Sequence, residues 1–364
     1  MRVLLVSHPP LTAELGAPQI VLSLATALRA RGHDALAWSP EPLPSGAGGR
    51  TLWKRQLEAL ESFAAEQGPF DVIDTPAITA GRNLERQGSL VVRSIQPELL
   101  YLWQDIRGEL GRRLPPTPRS VAHALIAAPR AAAILTGWRR ARLILCMGSI
   151  ELSWMVRRFP RWRPKLGSYV CAPSPAERPA LAEVRRRRPA RPEGEGLRFL
   201  WIGRWAAHKG TGRLVRWIAE RVAAAPGDTF TLAGCGPAAE RDLRPEWLRT
   251  GKVRLVPFFP RTELPLLLAS HDAGLFTSTV EGWGLTLNEM LESGMPVFAT
   301  QAGGVADLAP FFSQSLRPFP PPVRIEPWPL REDLEANGYF ARFDWTAIAG
   351  SYEEAVRGLR LHGH

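Results

Sequence analysis

Ser278-Thr279-Val280-Glu281-Gly282-Trp283-Gly284-Leu285-Thr286-Leu287-Asn288-Glu289-Met290-Leu291-Glu292-Ser293-Gly294-Met295-Pro296-Val297 is the stretch whose reading decides the fold. Just before it, residues 273–276 read as a short buried strand, and residues 297–300 read as a second apolar strand. A glycine-flanked turn and a helix from about residue 284 lie between them. Strand, turn, helix, strand is the repeating unit of an α/β fold, in which ligands bind at the carboxyl ends of the strands. That rule puts Glu281 in a ligand-side loop and Glu289 on the following helix. A carboxylate can accept two hydrogen bonds side by side, which suits the vicinal hydroxyls of a ribose or hexose. The helix opening at Gly284, Leu285 and Thr286 offers free N–H groups and a positive dipole end to a phosphate. An ordinary helix with acidic residues gives the same text. Glu292 is read as a surface residue.

Working outward, the same alternation covers most of the chain. In the amino-terminal half, strands are expected at 2–7, 34–38, 71–74, 90–93, 143–147 and 167–170, and helices at 19–31, 52–65, 79–87 and through much of 98–137. In the second half, strands are expected at 197–203, 229–233 and 253–256, and helices at 212–224, 238–248 and 263–269. Residues 311–328 are proline-rich and read as irregular, and residues 345–361 as a last amphipathic helix. Two series of this kind predict parallel sheets covered by helices on both faces. The domains expected are 1–171, a linker at 172–196 in which Arg185-Arg186-Arg187-Arg188 is solvated, 197–344, and the final helix at 345–364.

The chain has 364 residues, with 45% hydrophobic and 22% charged, which suits two globular domains better than one. Its formal charge is +11 and is unevenly placed. Between Leu100 and Lys165 stand 13 basic residues, from Arg107, Arg112, Arg113 and Arg119 to Arg161, Arg163 and Lys165, against 3 acids. Such a patch calls for an anionic partner. Arg157-Arg158-Phe159-Pro160-Arg161-Trp162-Arg163-Pro164-Lys165 interleaves aromatic rings with cations, as a membrane-facing surface does, although a merely soluble Arg-rich surface reads the same. Nucleic acid is disfavoured as a partner because no nucleic-acid-binding motif accompanies the charge. Cys146, Cys171 and Cys235 are scattered, which argues against a metal site or a disulfide framework. The first residues read as a strand and not a signal peptide, and the apolar region 121–137 is interrupted by His123, Pro129 and Arg130. A cytoplasmic protein is expected, with room for peripheral contact at the inner membrane face.

Three further turns bear on a phosphate-binding site. Gly203-Arg204-Trp205-Ala206-Ala207-His208-Lys209-Gly210 follows a buried strand and opens a helix, so Arg204 and Lys209 could both reach a diphosphate there. A plain turn with two solvated cations is an equal alternative. Gly234-Cys235-Gly236-Pro237 follows the next strand and by itself reads as structural. Gly16, in the first strand-to-helix loop, has the same phosphate-facing potential, and Gly303-Gly304 forms another candidate turn.

Taken together, these residues carry a family resemblance. Glu281-Gly-Trp-Gly-x4-Glu289, with Gly294-x-Pro296-Val297 after it, resembles the E-x7-E signature of retaining GT-B glycosyltransferases of the family-4, group 1 type. Gly203-Arg204 through Lys209-Gly210 is similar to the family's G-R-x5-K-G segment. Gly234-x-Gly236-Pro237, Gly303-Gly304 and the Leu15-Gly16-Ala17 loop fall in the family's order. The match is closest over about 197–308 and colinear over 1–74.

The resemblance implies two facing Rossmann-like domains with a cleft between them for a nucleotide-sugar donor. It implies that Arg204, Lys209 and Glu281 serve catalysis, Arg204 and Lys209 on the diphosphate and Glu281 on the donor sugar. Glu289 would hold the ribose, and Gly203, Gly16, Gly284, Leu285, Thr286, Gly234 and Gly236 would line the donor. No metal and no cofactor is implied, and the acceptor would be a glycan or a lipid-linked sugar, as in cell-surface polysaccharide or glycolipid synthesis. There is one departure. Val91-Val92-Arg93-Ser94-Ile95-Gln96 puts Ile95 where members often carry a histidine, with Ser94, Gln96 or His8 as substitutes. A GT-B scaffold that binds nucleotide-sugar or glycan without turnover is therefore the alternative reading.

Overall fold

The computed structural model describes residues 1–40, 52–111, 118–188, 196–325 and 332–361, apart from the side chains of 105, 107–111, 118–124, 126, 360 and 361. The chain divides into two compact units, Met1–Ala172 with Ala341–His364, and Pro173–Phe340.

The first unit holds the strands β1 (Arg2–Val6), β2 (Asp34–Trp38), β3 (Val72–Thr75), β4 (Ser89–Arg93), β5 (Leu143–Met147) and β6 (Leu166–Tyr169). They pair in the order β2-β1-β3-β4-β5-β6, and every pairing is parallel. Its helices are α1 (Gly16–Ala30), α2 (Leu52–Gln67), α3 (Glu98–Gly111), α4 (Pro118–Arg140) and α5 (Gly148–Arg158). Central parallel strands are covered on both faces, so they read as unbroken apolar runs and not as alternating ones. Leu4, Val6, Ile73, Val92 and Ile144 accordingly share one core with Trp138 of α4 and Leu60 of α2.

The second unit begins with α6 (Arg178–Arg187) and continues through β7 (Arg198–Ile202), α7 (Thr211–Ala224), β8 (Thr229–Ala233), α8 (Pro245–Arg249), β9 (Val253–Val256) and α9 (Leu264–Ala269). It then runs through β10 (Ala273–Phe276), α10 (Leu285–Glu292), β11 (Val297–Ala299), α11 (Val305–Leu308), β12 (Leu316–Pro318) and α12 (Tyr339–Phe343). The sheet order is β12-β11-β10-β7-β8-β9, again wholly parallel. Phe199 and Phe230 stack at 5.4 Å in its core, with Trp217 edge-on at 5.2 Å from Phe199. The last helix, α13 (Trp345–Leu361), belongs to the first unit and packs on α1, where Arg31 donates to Glu353 at 3.0 and 2.8 Å.

Several expectations are corrected. The expected helix at 79–87 is two 3-10 turns, Ala77–Thr79 and Asn83–Arg86, because Gly81 and Gly88 leave too few residues between them to carry a helix. The expected helix at 238–248 is interrupted at Pro245, which lacks the amide proton a continuing helix needs and instead starts α8. The proline-rich segment contributes the edge strand β12, where proline is tolerated. The supposed solvated linker contains α6, whose Leu181 and Val184 are buried and whose Glu183 pairs with Arg186 and Arg187. Arg185 and Arg188 are not solvated: Arg185 donates to Leu291 O at 3.1 Å, and Arg188 donates to His271 O and Leu268 O, both at 2.8 Å. Residues 189–195 of that linker lie outside the described residues.

Candidate active site

The second sheet has its switch point between β7 and β10. From β7 the chain winds outward to β8 and β9, and from β10 it winds the other way to β11 and β12. A crevice opens beyond the carboxyl ends of two strands whose connections leave in opposite directions. The two loops bordering this point are the two motifs singled out in the sequence. They are stitched together by hydrogen bonds: Thr277 Oγ1 donates to Lys209 O at 2.7 Å, Trp201 Nε1 donates to Thr277 Oγ1 at 3.0 Å, and Thr279 N donates to His208 O at 2.7 Å. Gly210 makes the stitch possible. Its φ is 72°, and a β-carbon there would lie 1.9 Å from Thr277 O.

Lys209 and Glu281 meet across this junction. Lys209 Nζ donates to Glu281 Oε2 at 2.5 Å, and Ser278 Oγ donates to the same oxygen at 2.9 Å. The two side chains are 17% and 11% exposed. Burial works to raise the Glu281 carboxyl, but the Lys209 ammonium and the two hydrogen bonds outweigh it and hold the group below its ordinary value. The pair is therefore a charged carboxylate beside a charged amine at the mouth of a strand junction. Arg204 is exposed and joins no ion pair or hydrogen bond among the described residues.

The loop then turns through Gly284 into α10. Gly284 has φ 84°, and a β-carbon there would press to 2.8 Å against the Phe276 ring. Leu285 and Thr286 form the first turn of α10, whose leading N–H groups have no intrahelical acceptor. Gly203, Gly234 and Gly236 stand on the ligand side of β7 and β8, but their amides are used: they donate to Ala233 O, Val256 O and Pro257 O at 3.0, 2.8 and 3.0 Å. These glycines thus offer close approach and not N–H donors.

Glu289 is 0% exposed and already engaged. Arg261 Nη2 donates to Oε1 at 2.6 Å and Arg261 Nη1 lies 3.4 Å from Oε2, while Arg261 also donates to both oxygens of Glu177 at 2.8 Å. Burial raises the Glu289 carboxyl above its usual range and Arg261 opposes that. Neither Arg261 nor Glu177 stands out in the sequence. Arg261 sits in a Pro-Arg-Thr-Glu turn after the edge strand β9, and only the position just past a strand's carboxyl end hinted at it.

Glu292 requires a correction. It is 4% exposed, not a surface residue, and accepts from Tyr339 Oη at 2.5 Å and from Arg178 at 3.2 Å. Because α10 is closed in by α6 as well as by the sheet, its outward-looking positions are buried too.

Gly16 belongs to the first unit, at the start of α1, where Leu15 supplies no side-chain cap. The first sheet has its own switch point between β1 and β3, and there His8 Nε2 and Thr79 Oγ1 share a hydrogen bond of 2.8 Å. Burial lowers His8 to about 4, so this imidazole is neutral. Ser94 donates to Glu151 at 2.8 Å. Of the candidate substitutes for the histidine replaced by Ile95, His8 and Ser94 are thus engaged by Thr79 and Glu151 within the unit.

The basic patch is only partly a surface. Arg112 and Arg113 lie outside the described residues, as do the side chains of Arg107 and Arg119. Lys165 donates to Trp138 O, Arg139 O and Ala141 O, closing the end of α4. Trp162 is buried and stacks on Phe159 at 5.0 Å, so these rings face the core, while Arg157, Arg158, Arg161 and Arg163 are exposed. Among the described residues no helix is long and apolar enough to cross a membrane, and no group of three or more His, Cys, Asp or Glu is placed to hold a metal ion.

Residues 196–310 match the family model described as glycosyl transferases group 1. A glycogen synthase of Mycobacterium tuberculosis is 25% identical over 340 residues, covering 84% of this chain and 80% of the relative. Two solved structures share the fold along almost the whole chain. An α,α-trehalose-phosphate synthase (UDP-forming) from Burkholderia vietnamiensis has a TM-score of 0.67 at 13% identity, covering 98% of this chain and 100% of that one. A sucrose-phosphate synthase from Thermosynechococcus elongatus has a TM-score of 0.64 at 18% identity, covering 98% and 94%. The group 1 match lies on the unit that holds Lys209, Glu281 and Glu289, so residues 196–310 carry a glycosyl transferases group 1 region on a two-sheet α/β fold shared with GT-B glycosyltransferases.

Proposed function

We propose that the protein is a retaining glycosyltransferase that moves a sugar from a nucleoside diphosphate donor to a hydroxyl of a glycan or lipid-linked acceptor. The observation that carries this reading is the Lys209–Glu281 pair at the β7/β10 switch point, 2.5 Å apart and beside the open N-terminus of α10. Without donor the two charges neutralise each other. With donor bound, the diphosphate competes for Lys209, Arg204 adds a second cation from its exposed position, and the α10 amides add fixed dipoles. Negative charge builds on the diphosphate as the sugar–oxygen bond breaks, and pre-placed cations and N–H groups lower that barrier. Glu281, released from Lys209, accepts hydroxyls of the donor sugar, and Glu289 accepts those of the ribose. On this reading the leaving-group charge is met by side chains and helix dipoles, and no metal ion is required.

Acceptor recognition falls to the first unit in this proposal. Its exposed Arg157, Arg158, Arg161 and Arg163 suit an anionic acceptor or the anionic headgroups around a lipid-linked one. Sedimentation with phosphatidylglycerol vesicles tests the lipid case. Transfer or hydrolysis of a panel of UDP-, GDP- and ADP-sugars, with the product anomer read by NMR, tests the main proposal. Full activity in both K209A and E289A would sink it. Ile95 favours one second reading, a GT-B scaffold that binds donor without turnover. Saturable binding with no product from any donor in the panel would establish that reading instead.

A further inference from the structure

We propose that Arg261, braced by Glu177, is a positioning residue for donor binding that keeps the buried carboxylate of Glu289 ionised and in one orientation. This rests on the reading that Glu289 receives hydroxyls of the donor.

Glu289 has no access to water, and the strands under it, β10 and β11, carry no charged residue. A carboxylate in such a place either finds a cation or takes up a proton. Arg261 is that cation, reaching both oxygens, at 2.6 and 3.4 Å. The guanidinium is itself held on its other edge, where Nε and Nη2 donate to Glu177 at 2.8 Å each. A planar fork gripped on two edges has little freedom to turn, so it fixes the plane of the Glu289 carboxylate as well. A carboxylate has about four lone-pair positions, and Arg261 occupies one on each oxygen. One on each has no other partner among the described residues, the number a vicinal diol requires, and a diol reaches them once the covered side chain is opened to the donor.

The other charges facing this acid are few. Glu177 adds negative charge beyond Arg261, and Glu292, one turn along α10, is engaged by Arg178 and Tyr339. Glu177 directly precedes α6 and Arg178 begins it, so the start of one helix engages both buried acids of α10, Glu292 directly and Glu289 through Arg261. If Arg261 is removed, burial and Glu177 both favour protonation of Glu289. The protonated group loses acceptor capacity and becomes a donor.

The test is calorimetric titration of the full-length protein with UDP and with ADP at pH 6, 7.5 and 9, comparing R261M, R261K, E177Q and E289A with the unsubstituted chain at each pH. For the nucleotide that binds, R261M should be weakened roughly 10- to 30-fold at pH 6 and recover to within about 3-fold at pH 9. R261K should be intermediate, and E177Q, which removes the brace but also a charge that favours protonation of Glu289, should weaken binding by less and about equally at the three pH values. In turnover, the donor KM should carry most of the R261M effect, with kcat at saturation changed less. Circular dichroism melts check that each variant folds; should R261M not fold, R261K carries the pH comparison. A pH-independent loss in R261M without rescue by lysine would mean a merely structural role and would overturn the inference. So would affinities equal to the unsubstituted chain at every pH while E289A has lost binding. Unchanged binding in E289A, or no binding of either nucleotide by the unsubstituted chain, would instead overturn the underlying reading of the donor site.

Discussion

Replacing Lys209 by methionine separates the two tasks given to this residue. The side chain is 17% exposed and its partner Glu281 11%, so the pair sits mostly out of water. Removing one member of a well-buried pair costs about 3–5 kcal/mol, and the residual exposure here trims that to about 2–3 kcal/mol. The loss should depend on pH in a defined direction. In the intact protein Glu281 is held below its ordinary value, so the stability from the pair is present above the ordinary carboxylate range and fades as pH falls through the lowered value. In K209M the orphaned carboxyl is easier to protonate, and the deficit relative to the intact protein should shrink from pH 8 to pH 5. Adding E281Q removes the orphaned charge, so the double variant should regain most of the lost stability. It should not regain transfer, because a missing cation on the leaving diphosphate costs about 10²–10³ in kcat. Urea denaturation at the two pH values and donor-hydrolysis rates measure both halves. A double variant no more stable than K209M, or a K209M enzyme with unaltered kcat, would refute this account of the pair.

Gly284→Ala should lower stability by about 1–3 kcal/mol and weaken nucleotide binding, since alanine is strained at φ 84° and its methyl group would meet the Phe276 ring at 2.8 Å; melting and titration calorimetry check both. Arg178→Met should cost about 3 kcal/mol by leaving Glu292 buried beside Tyr339, whereas the pair R178M/E292Q should lose clearly less, as read by denaturant midpoints. Burial raises Glu98 to about 8 and Glu151 to about 7, so the stability they contribute is complete below about pH 4.5 and declines as pH climbs through those values; E98Q/E151Q should flatten the stability–pH curve between pH 5 and 8.5. Transfer should proceed at full rate in excess EDTA, and loss of activity restored by a divalent cation would contradict the metal-independent reading.

The expectations that the structure corrects have two causes, one local and one tertiary. The stretch at 238–248 has a helical apolar spacing, yet Pro245 cannot donate to the preceding turn, and a single missing amide outweighs the pattern. The Arg-rich run at 185–188 reads as solvated because nothing local says otherwise. Arg186 and Arg187 are indeed exposed, but Arg185 and Arg188 donate to carbonyls some 80 to 106 residues away, at Leu291 and at Leu268 and His271. Glu292 reads as a surface residue because the helix that buries its outer face arrives from more than a hundred residues earlier in the chain.

What the sequence determines by itself is everything local: the apolar runs that become central strands, the glycines that allow Gly210 and Gly284 their left-handed turns, and the strand ends that carry Lys209 and Glu281. Period, turn chemistry and order along the chain suffice for these. The tertiary structure alone decides who neutralises whom. Lys209 finds Glu281 because β7 and β10 are neighbours in the sheet, and Glu289 depends on Arg261 and Glu177 because a buried carboxylate must be paired wherever the fold brings a cation within reach. Such pairings depend on distance in space, which composition and spacing do not encode.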